Sequence, residues 1–150
     1  MKKSLLLITL LVSSTVVISQ NREDLLTYSS KYSVSETSTR LVDTLKEKGF
    51  TIFKTVDHSL GAKNVGIELH DTTVVIFGNP KIGSKLMQCA PTVAIDLPQK
   101  ALIWKDTDSK VWLAFNNPDY LKQRHNVKGC DQFFGKIKNA FKLISNKVTM

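Results

Sequence analysis

The sequence predicts a single α+β domain, and three observations carry this prediction. Residues 74–77 (VVIF) form a continuous β-branched and aromatic run, which is typical of a strand covered on both faces. Residues 101–105 and 111–115 are apolar runs separated by the polar stretch DTDSK, which indicates an antiparallel hairpin. Residues 131–147 repeat apolar side chains at helical spacing. We therefore expect a mixed sheet of four to five strands with helices packed on it.

The remaining elements follow in chain order. Ser35 can cap a helix that ends at Gly49, and the alternating residues 50–56 predict a strand. Asp57 can then cap a short helix, and Asn117 can cap another after the hairpin. The order is strand, helix, strand, short helix, strand, helix, two strands and final helices. The 131 residues left after a signal peptide of 19 residues are enough for one domain with a single core and too few for two, so we expect one domain.

The stretch that follows residues 74–77 predicts a turn into a helix. Asn79 can cap this helix, and Pro80 suits its first position because proline has no N–H to leave unpaired there. Ile82, Leu86 and Cys89 then fall on one helical stripe, which we expect to face the sheet.

The N-terminus has the pattern of a secretory signal peptide. Lys2 and Lys3 precede an apolar run over residues 5–18, and small residues follow, so we expect cleavage after Ser19. The run has 14 residues, fewer than the roughly 20 that span a bilayer, so no stable membrane span is expected. The sequence predicts a signal peptide over residues 1–19, a mobile leader over 20–30, and a domain over 31–150 exported to the periplasm or the extracellular space.

The chain is basic, with a formal net charge of +8. A basic balance can attract nucleic acid or anionic lipid, but the lysines are spread along the chain rather than clustered. An exported protein also seldom meets nucleic acid. We therefore predict a solvated basic surface and no nucleic-acid partner.

Cys89 and Cys130 are the two cysteines of the chain. Export makes a disulfide between them chemically feasible, and it would close a loop of about 40 residues. The alternative is that Cys89 is a small buried side chain on its helical stripe, since free cysteine is among the most buried residue types. Neither a CxxC motif nor a Cys/His cluster with metal spacing is present, so no metal is predicted.

Five stretches, taken together, resemble the bacterial domain-of-unknown-function 302 (DUF302) family. They are SETSTRLVDTLKEKGF from Ser35, VDHSLGAKN from Val56, VIFGNP from Val75, LMQCAPTVAIDLP from Leu86 and FNNPDYLKQRHN from Phe115. The resemblance implies a compact α+β domain that self-associates, as a homodimer, and it implies no established chemistry and no known cofactor. Family members often carry Gly in the hairpin turn, where this chain has Ser109.

Asp57, His58 and His125 are the residues with the chemistry for a general base or a metal site. That chemistry would require the fold to bring the two imidazoles within about 5 Å of each other or of a shared carboxylate. The alternative is that Asp57 is a helix cap and His58 faces solvent. A metal- or cofactor-dependent enzyme using His58 and His125 is thus the second functional hypothesis.

Asn79 and Trp104 complete the set of candidate ligand-binding residues. Asn79 begins a helix after a strand, a geometry that can hold anions, although a cap explains it equally well. Trp104 lies on a hairpin strand with Trp112 on its partner, and the pair can form either core or a binding surface. Since no nucleophile or cofactor motif is present, we predict a small-ligand-binding or accessory domain and leave enzymatic activity open.

Overall fold

The computed structural model describes residues 24–150 and shows one α+β domain. The predicted signal peptide and its cleavage site lie outside the described residues. The elements are β1 (Leu25–Ser30), α1 (Val34–Glu47), β2 (Thr51–Asp57), α2 (His58–Lys63), β3 (Thr72–Gly78), α3 (Pro80–Cys89), a 3-10 helix (Pro91–Asp96), β4 (Gln99–Lys105), β5 (Val111–Asn116), α4 (Pro118–Arg124) and α5 (Asp131–Thr149). The α+β class and the antiparallel hairpin are confirmed.

The five strands form one sheet in the order β1-β5-β4-β3-β2. Every neighbouring pair is antiparallel, so the sheet is not mixed. The reason is the path of α1, which leads the chain from β1 at one edge to β2 at the other. The connections that follow, residues 58–71, 79–98 and 106–110, then return the chain across the sheet in alternating directions.

The domain begins earlier than the sequence indicated. Residues 25–30, expected to belong to a mobile leader, form the edge strand β1 paired with β5. Leu26 lies opposite Phe115 and Tyr28 opposite Leu113, and both pack on the core. This six-residue strand was missed because only two of its three inward positions are apolar, the third being Ser30, while the outward ones are largely polar. The cap of α1 is also Ser33 rather than Ser35.

One face of the sheet carries the main core, which α1 and α5 cover. Phe77 is fully buried there, and its ring meets Phe50, Phe115 and Phe141 at centroid distances of 5.6, 6.1 and 6.0 Å. The edge-to-face geometry of these three contacts is the arrangement that aromatic rings prefer. Phe77 therefore joins β3 to the residue just before β2, to β5 and to α5.

The opposite face, which we call the outer sheet face, is apolar at its centre. It carries Val56, Val74, Ile76, Leu102, Trp104 and Trp112, which alternate along the strands with the core residues. These six side chains are only half-buried, and none belongs to either apolar core of the described residues. Polar residues of the same face surround them: Lys54 and Lys100 lie opposite Ile76, and Thr27 and Ser29 lie on β1 at the edge. An antiparallel sheet with one solvated face normally alternates apolar and polar residues, and β1 does so, but the central strands carry apolar residues on both faces.

A second, smaller core holds the remaining helices together. Leu86 of α3, Val93 of the 3-10 helix, Leu121 of α4 and Phe134 of α5 pack together in it. This cluster lies beyond the ends of the strands, since α3 follows β3 and the 3-10 helix precedes β4. Within residues 24–150, no helix is long and apolar enough to cross a membrane.

Candidate functional site

A cavity of about 320 Å³ lies between the two cores. Its walls come from the start of β2, the turn between β3 and α3, the residues around the 3-10 helix, and the middle of α5. Most of its lining is apolar, with the larger side chains from Phe50, Phe53, Met87, Leu97, Ile137 and Phe141. A concave apolar cavity with a few polar groups has the character of a small-molecule site.

The local sequence explains how β2 and α3 shape this cavity. The pairing of β2 with β3 shifts register between Ile52 and Lys54, so Phe53 is the extra residue of a bulge. A bulge redirects its side chain, and the Phe53 ring remains half-exposed at the cavity. On α3, Gly83 has no side chain and so leaves space in the cavity. A Cβ added at this position would contact Leu97 Cδ1 at 3.7 Å. Any larger side chain at position 83 would extend into the lining.

Four polar side chains line the cavity, Asn79 and Ser84 beside or on α3 and Gln99 and Lys136 on β4 and α5. Gln99, at the start of β4, is 7% exposed, and its Oε1 is buried with no hydrogen-bond partner among the described residues. An unpaired buried amide oxygen is uncommon and destabilising by about 1–3 kcal/mol. Lys136, on α5, is exposed and forms no salt bridge with any residue in the described part of the chain.

Asn79 lies at the rim of the cavity, and the predicted cap is confirmed. Its Oδ1 accepts a 3.0 Å hydrogen bond from the backbone N–H of Lys81, and Pro80 occupies the first helical position. The N–H groups of Ile82 and Gly83 bond to the Asn79 carbonyl oxygen. The first turn of α3 therefore has its N–H groups paired within the chain and offers no anion site.

His125 lies beside the 3-10 helix rather than in the cavity. Its Nε2 is 2.6 Å from Asp96 Oδ2 and its Nδ1 is 3.2 Å from Thr92 Oγ1, while Arg124 contacts the other Asp96 oxygen at 3.2 Å. A carboxylate only accepts, so Nε2 carries the proton and donates to Asp96. In the neutral ring Nδ1 then accepts from the Thr92 hydroxyl. These contacts hold the 3-10 helix against α4, and thereby position the cavity residues Ala94 and Leu97.

Asp57 and His58 lie at the other end of the sheet. Asp57 caps α2, and hydrogen bonds from the Leu60 backbone N–H and the Ser59 hydroxyl hold the pKa of its carboxyl below the usual range. His58 is exposed in the first turn of α2. Neither side chain contributes to the cavity.

The structure therefore does not bring His58 and His125 together. Asp57 pairs with Thr73 near the start of β3, whereas Gln99, which follows the 3-10 helix, pairs with Phe77 near its end. These two ends are roughly 14 Å apart along the strand. Residues 24–150 also contain no group of three or more His, Cys, Asp or Glu side chains that could hold a metal ion. The shared site that the enzyme hypothesis required is not formed.

Trp104 lies on the outer sheet face, away from the cavity. Its ring stacks on that of Trp112 at a centroid distance of 6.4 Å and an interplanar angle of 24°. The indole Nε1 of Trp112 donates to Asp106 Oδ2 at 2.6 Å. Trp104 is thus part of an apolar surface rather than of a ligand cavity.

Sequence reasoning placed one residue, Asn79, at the cavity and missed most of the others. Gln99 did carry a signal, because it alternates with Ala101 and Ile103 on an otherwise apolar strand face. Phe53 and Ile137 carried no such signal in the sequence, since a bulge and a helix packing angle bring them together.

Cys89 and Cys130 are bonded to each other in the structure, with Cα atoms 6.4 Å apart.

The antiparallel sheet, the helices on one face and the apolar cavity at its end define a small α+β domain. Residues 26–144 match the model of the family described as domain of unknown function DUF302, so the chain belongs to the DUF302 family. The resemblance noted in the sequence is therefore confirmed.

A solved structure shares this fold. The chain superposes with a TM-score of 0.75 on an uncharacterized conserved DUF302 protein from Bacillus stearothermophilus, covering 83% of this chain and 97% of that one. The two sequences are 16% identical, so the likeness concerns the fold alone.

Curated relatives from Brucella are more similar in sequence. The chain is 46% identical over 103 residues to proteins named fluoride-specific ion channel FluC 1 in Brucella suis biovar 1 and Brucella abortus biovar 1. The match covers 69% of this chain but 41% and 38% of those proteins. The chain thus spans about two-fifths of the length of these relatives.

Proposed function

We propose that this chain is an exported accessory domain that binds a small, largely apolar molecule in the cavity between α3, the 3-10 helix and α5. The observation that supports this most is the cavity itself. The cavity opens to solvent, is mostly apolar and, at about 320 Å³, falls within the size range of small-molecule pockets.

The accessory role draws support from the Brucella relatives. In those proteins, a segment similar to this chain makes up about two-fifths of a larger protein named as a fluoride channel. The similarity of this chain to one segment of those proteins fits a supporting role in ligand sensing or assembly. Export is supported by the signal-like order of residues 1–19.

A homodimer formed through the outer sheet face is a second part of the proposal. Apolar residues on both faces of a sheet are typical of a sheet that is covered on both sides. The covering partner we propose is a second copy of this chain, because a copy presents the same apolar strands in self-complementary fashion.

Ligand binding can be tested by titrating cinnamate, a planar aromatic acid, into labelled protein and following the backbone amides by NMR. We expect shifts at Gly83, Gln99 and Ala140, which line the cavity from three elements. Gly83→Leu should fill the cavity and weaken cinnamate binding at least tenfold. Gly135→Leu is the matched control, because Gly135 is exposed on α5 with nothing within 4 Å of its added Cβ.

Equal affinity in both leucine variants, or shifts confined to the outer sheet face, would remove the cavity as the binding site. Native mass spectrometry of the protein purified from its own host provides an independent measurement. A co-purifying small molecule that is present in wild type and lost in Gly83→Leu is the expected result.

A further inference from the structure

The cavity walls have a composition suited to a flat ring. Phe50, Phe53 and Phe141 supply three aromatic faces or edges from β2 and α5, and Met87 adds a thioether from α3. Aromatic rings stack or meet edge to face, and methionine sulfur contacts ring edges favourably. An aromatic molecule can use all four contacts, whereas a flexible alkyl chain would lose rotational freedom without using the ring geometry.

The unpaired acceptor on Gln99 favours a ligand that carries a hydrogen-bond donor. Its buried Oε1 is the one side-chain oxygen or nitrogen within residues 24–150 that is fully buried without a partner. Because Oε1 has no exposed surface as the side chain stands, contact with a ligand requires rotation of the terminal amide, a torsion that is broad in glutamine. A ligand hydroxyl or ring N–H would satisfy this acceptor, and a ligand without a donor would leave it unpaired.

The unpaired charge of Lys136 favours a ligand that carries an anionic group. It lines the cavity from α5, whereas Gln99 lines it from the sheet, so the two side chains approach from different walls. Three other lysines are paired with carboxylates that join α5 to its neighbours: Lys138 with Asp119, Lys122 with Asp131, and Lys147 with Glu47. Lys136 has no such partner and is free to pair with a ligand carboxylate at the opening.

We infer, building on the proposed function, that the ligand belongs to the class of planar aromatic acids with a donor group on the ring. The ring would lie among the three phenylalanines, its donor would bind Gln99 Oε1, and its carboxylate would pair with Lys136. Apart from Asn79, Ser84, Gln99 and Lys136 the lining is mostly apolar, which favours a ligand with few polar groups.

Calorimetric titration of four related probes into the purified protein separates these contacts. The probes are para-hydroxycinnamate, cinnamate, para-methoxycinnamate and para-propylphenol. The first carries both donor and carboxylate, the second lacks the donor, the third can accept but cannot donate, and the fourth lacks the carboxylate. We expect para-hydroxycinnamate to bind about tenfold more tightly than cinnamate, and para-methoxycinnamate to bind no more tightly than cinnamate.

Two variants assign the preferences to their residues. Gln99→Met keeps the length of the side chain and removes the acceptor, so the tenfold preference should fall to about onefold while cinnamate still binds. Lys136→Gln should weaken the three acids about three- to tenfold, less so at high salt, and leave para-propylphenol unchanged. Lys142→Gln, which removes one charge from an exposed position on the same helix, should change nothing.

The outcomes distinguish this inference from the proposed function. Equal binding of cinnamate and para-hydroxycinnamate by wild type, or a preference that survives in Gln99→Met, overturns the donor contact while cavity binding stands. Tighter binding of para-methoxycinnamate than of cinnamate by wild type also overturns the donor contact. If none of the four probes binds, the proposed function fails together with the ligand class.

Discussion

Cys89 and Cys130 join the last residue of α3 to the residue immediately before α5, with Cα atoms 6.4 Å apart. This separation lies within the range that disulfide geometry allows. Because α3 and α5 form two walls of the cavity, the bond fixes the spacing of those walls as well as the packing of the smaller core. The redox state of the two cysteines is thereby linked to the shape of the candidate site.

The first prediction concerns the stability that this bond provides. Replacing both Cys89 and Cys130 by Ala should lower the free energy of unfolding by about 3–4 kcal/mol, since the bond closes a loop of 41 residues in the unfolded chain. Guanidinium denaturation measures this, and reduced wild type should approach the variant. Two reactive thiols per chain in unfolded, unreduced protein would show that the bond is absent.

The second prediction concerns Asn79 as a helix cap. Asn79→Ala should cost about 1 kcal/mol, because the Lys81 N–H loses its acceptor. Asn79→Asp should be nearly neutral, since a carboxylate accepts the same bond and suits the positive end of α3. Urea denaturation of both variants provides the measurement, with Asn139→Ala on the exposed side of α5 as a control that removes no cap.

Ligand titration of the same variants tests whether Asn79 is more than a cap. We expect Asn79→Asp to bind para-hydroxycinnamate nearly as well as wild type does. A variant that is as stable as wild type but no longer binds would show that the amide NH₂ contacts the ligand, and Asn79 would then belong to the site.

Features set by neighbouring residues were predictable from the sequence, and features set by packing were not. Asn79 and Pro80 specify the start of α3 through bonds made within one helical turn, so the cap could be predicted from residue types alone. In contrast, β1 has few inward-facing apolar residues and becomes a strand only because β5 offers a free edge. Its identity depends on residues about 90 positions later.

The cavity shows the same limit more clearly. Phe53, Gln99 and Ile137 are widely separated in the chain, and they converge because α5 lies across the end of the sheet. Sequence periodicity places each residue on a face of its own element but gives no distance between elements. Gln99 could have been singled out as a polar residue on an apolar face, although its lack of a partner is visible only in the structure.

The third prediction concerns pH and the hairpin turn. The Trp112 indole N–H, together with the backbone N–H groups of Lys110 and Asp108, donates to Asp106 and holds the pKa of its carboxyl below the usual range. A depressed carboxyl pKa contributes stability above the unfolded-state value of about 3.9, and this contribution is lost as the pH falls through the lower folded-state pKa.

The Trp112 indole resonance reports this titration directly. Its Nε1–H signal in NMR spectra should stay constant from pH 7 to about 5 and move as the pH falls below about 4. The Asp106→Asn variant should show no such movement, and the stability difference between it and wild type should shrink over the same acidic range. A wild-type midpoint at or above the usual aspartate value would contradict the hydrogen-bonded arrangement.

The last prediction concerns the outer sheet face as a dimer surface. Five strands about 4.8 Å apart and about 20 Å long present roughly 500 Å² per copy, which is below the ~800 Å² per partner of a standard interface. We therefore expect a weak dimer whose population rises with protein concentration.

Leu102 lies near the centre of this face, between Val74 and Ala114, so Leu102→Lys should place an unpaired charge in the interface. Leu143→Lys, at a 62% exposed position on α5, adds the same charge on the opposite layer. Sedimentation velocity over a concentration series should show dimer for wild type and Leu143→Lys, and monomer for Leu102→Lys with its circular dichroism unchanged. If Leu102→Lys dimerises as wild type does, the association uses another surface, and if wild type stays monomeric at millimolar concentration, the outer sheet face is not a self-association surface.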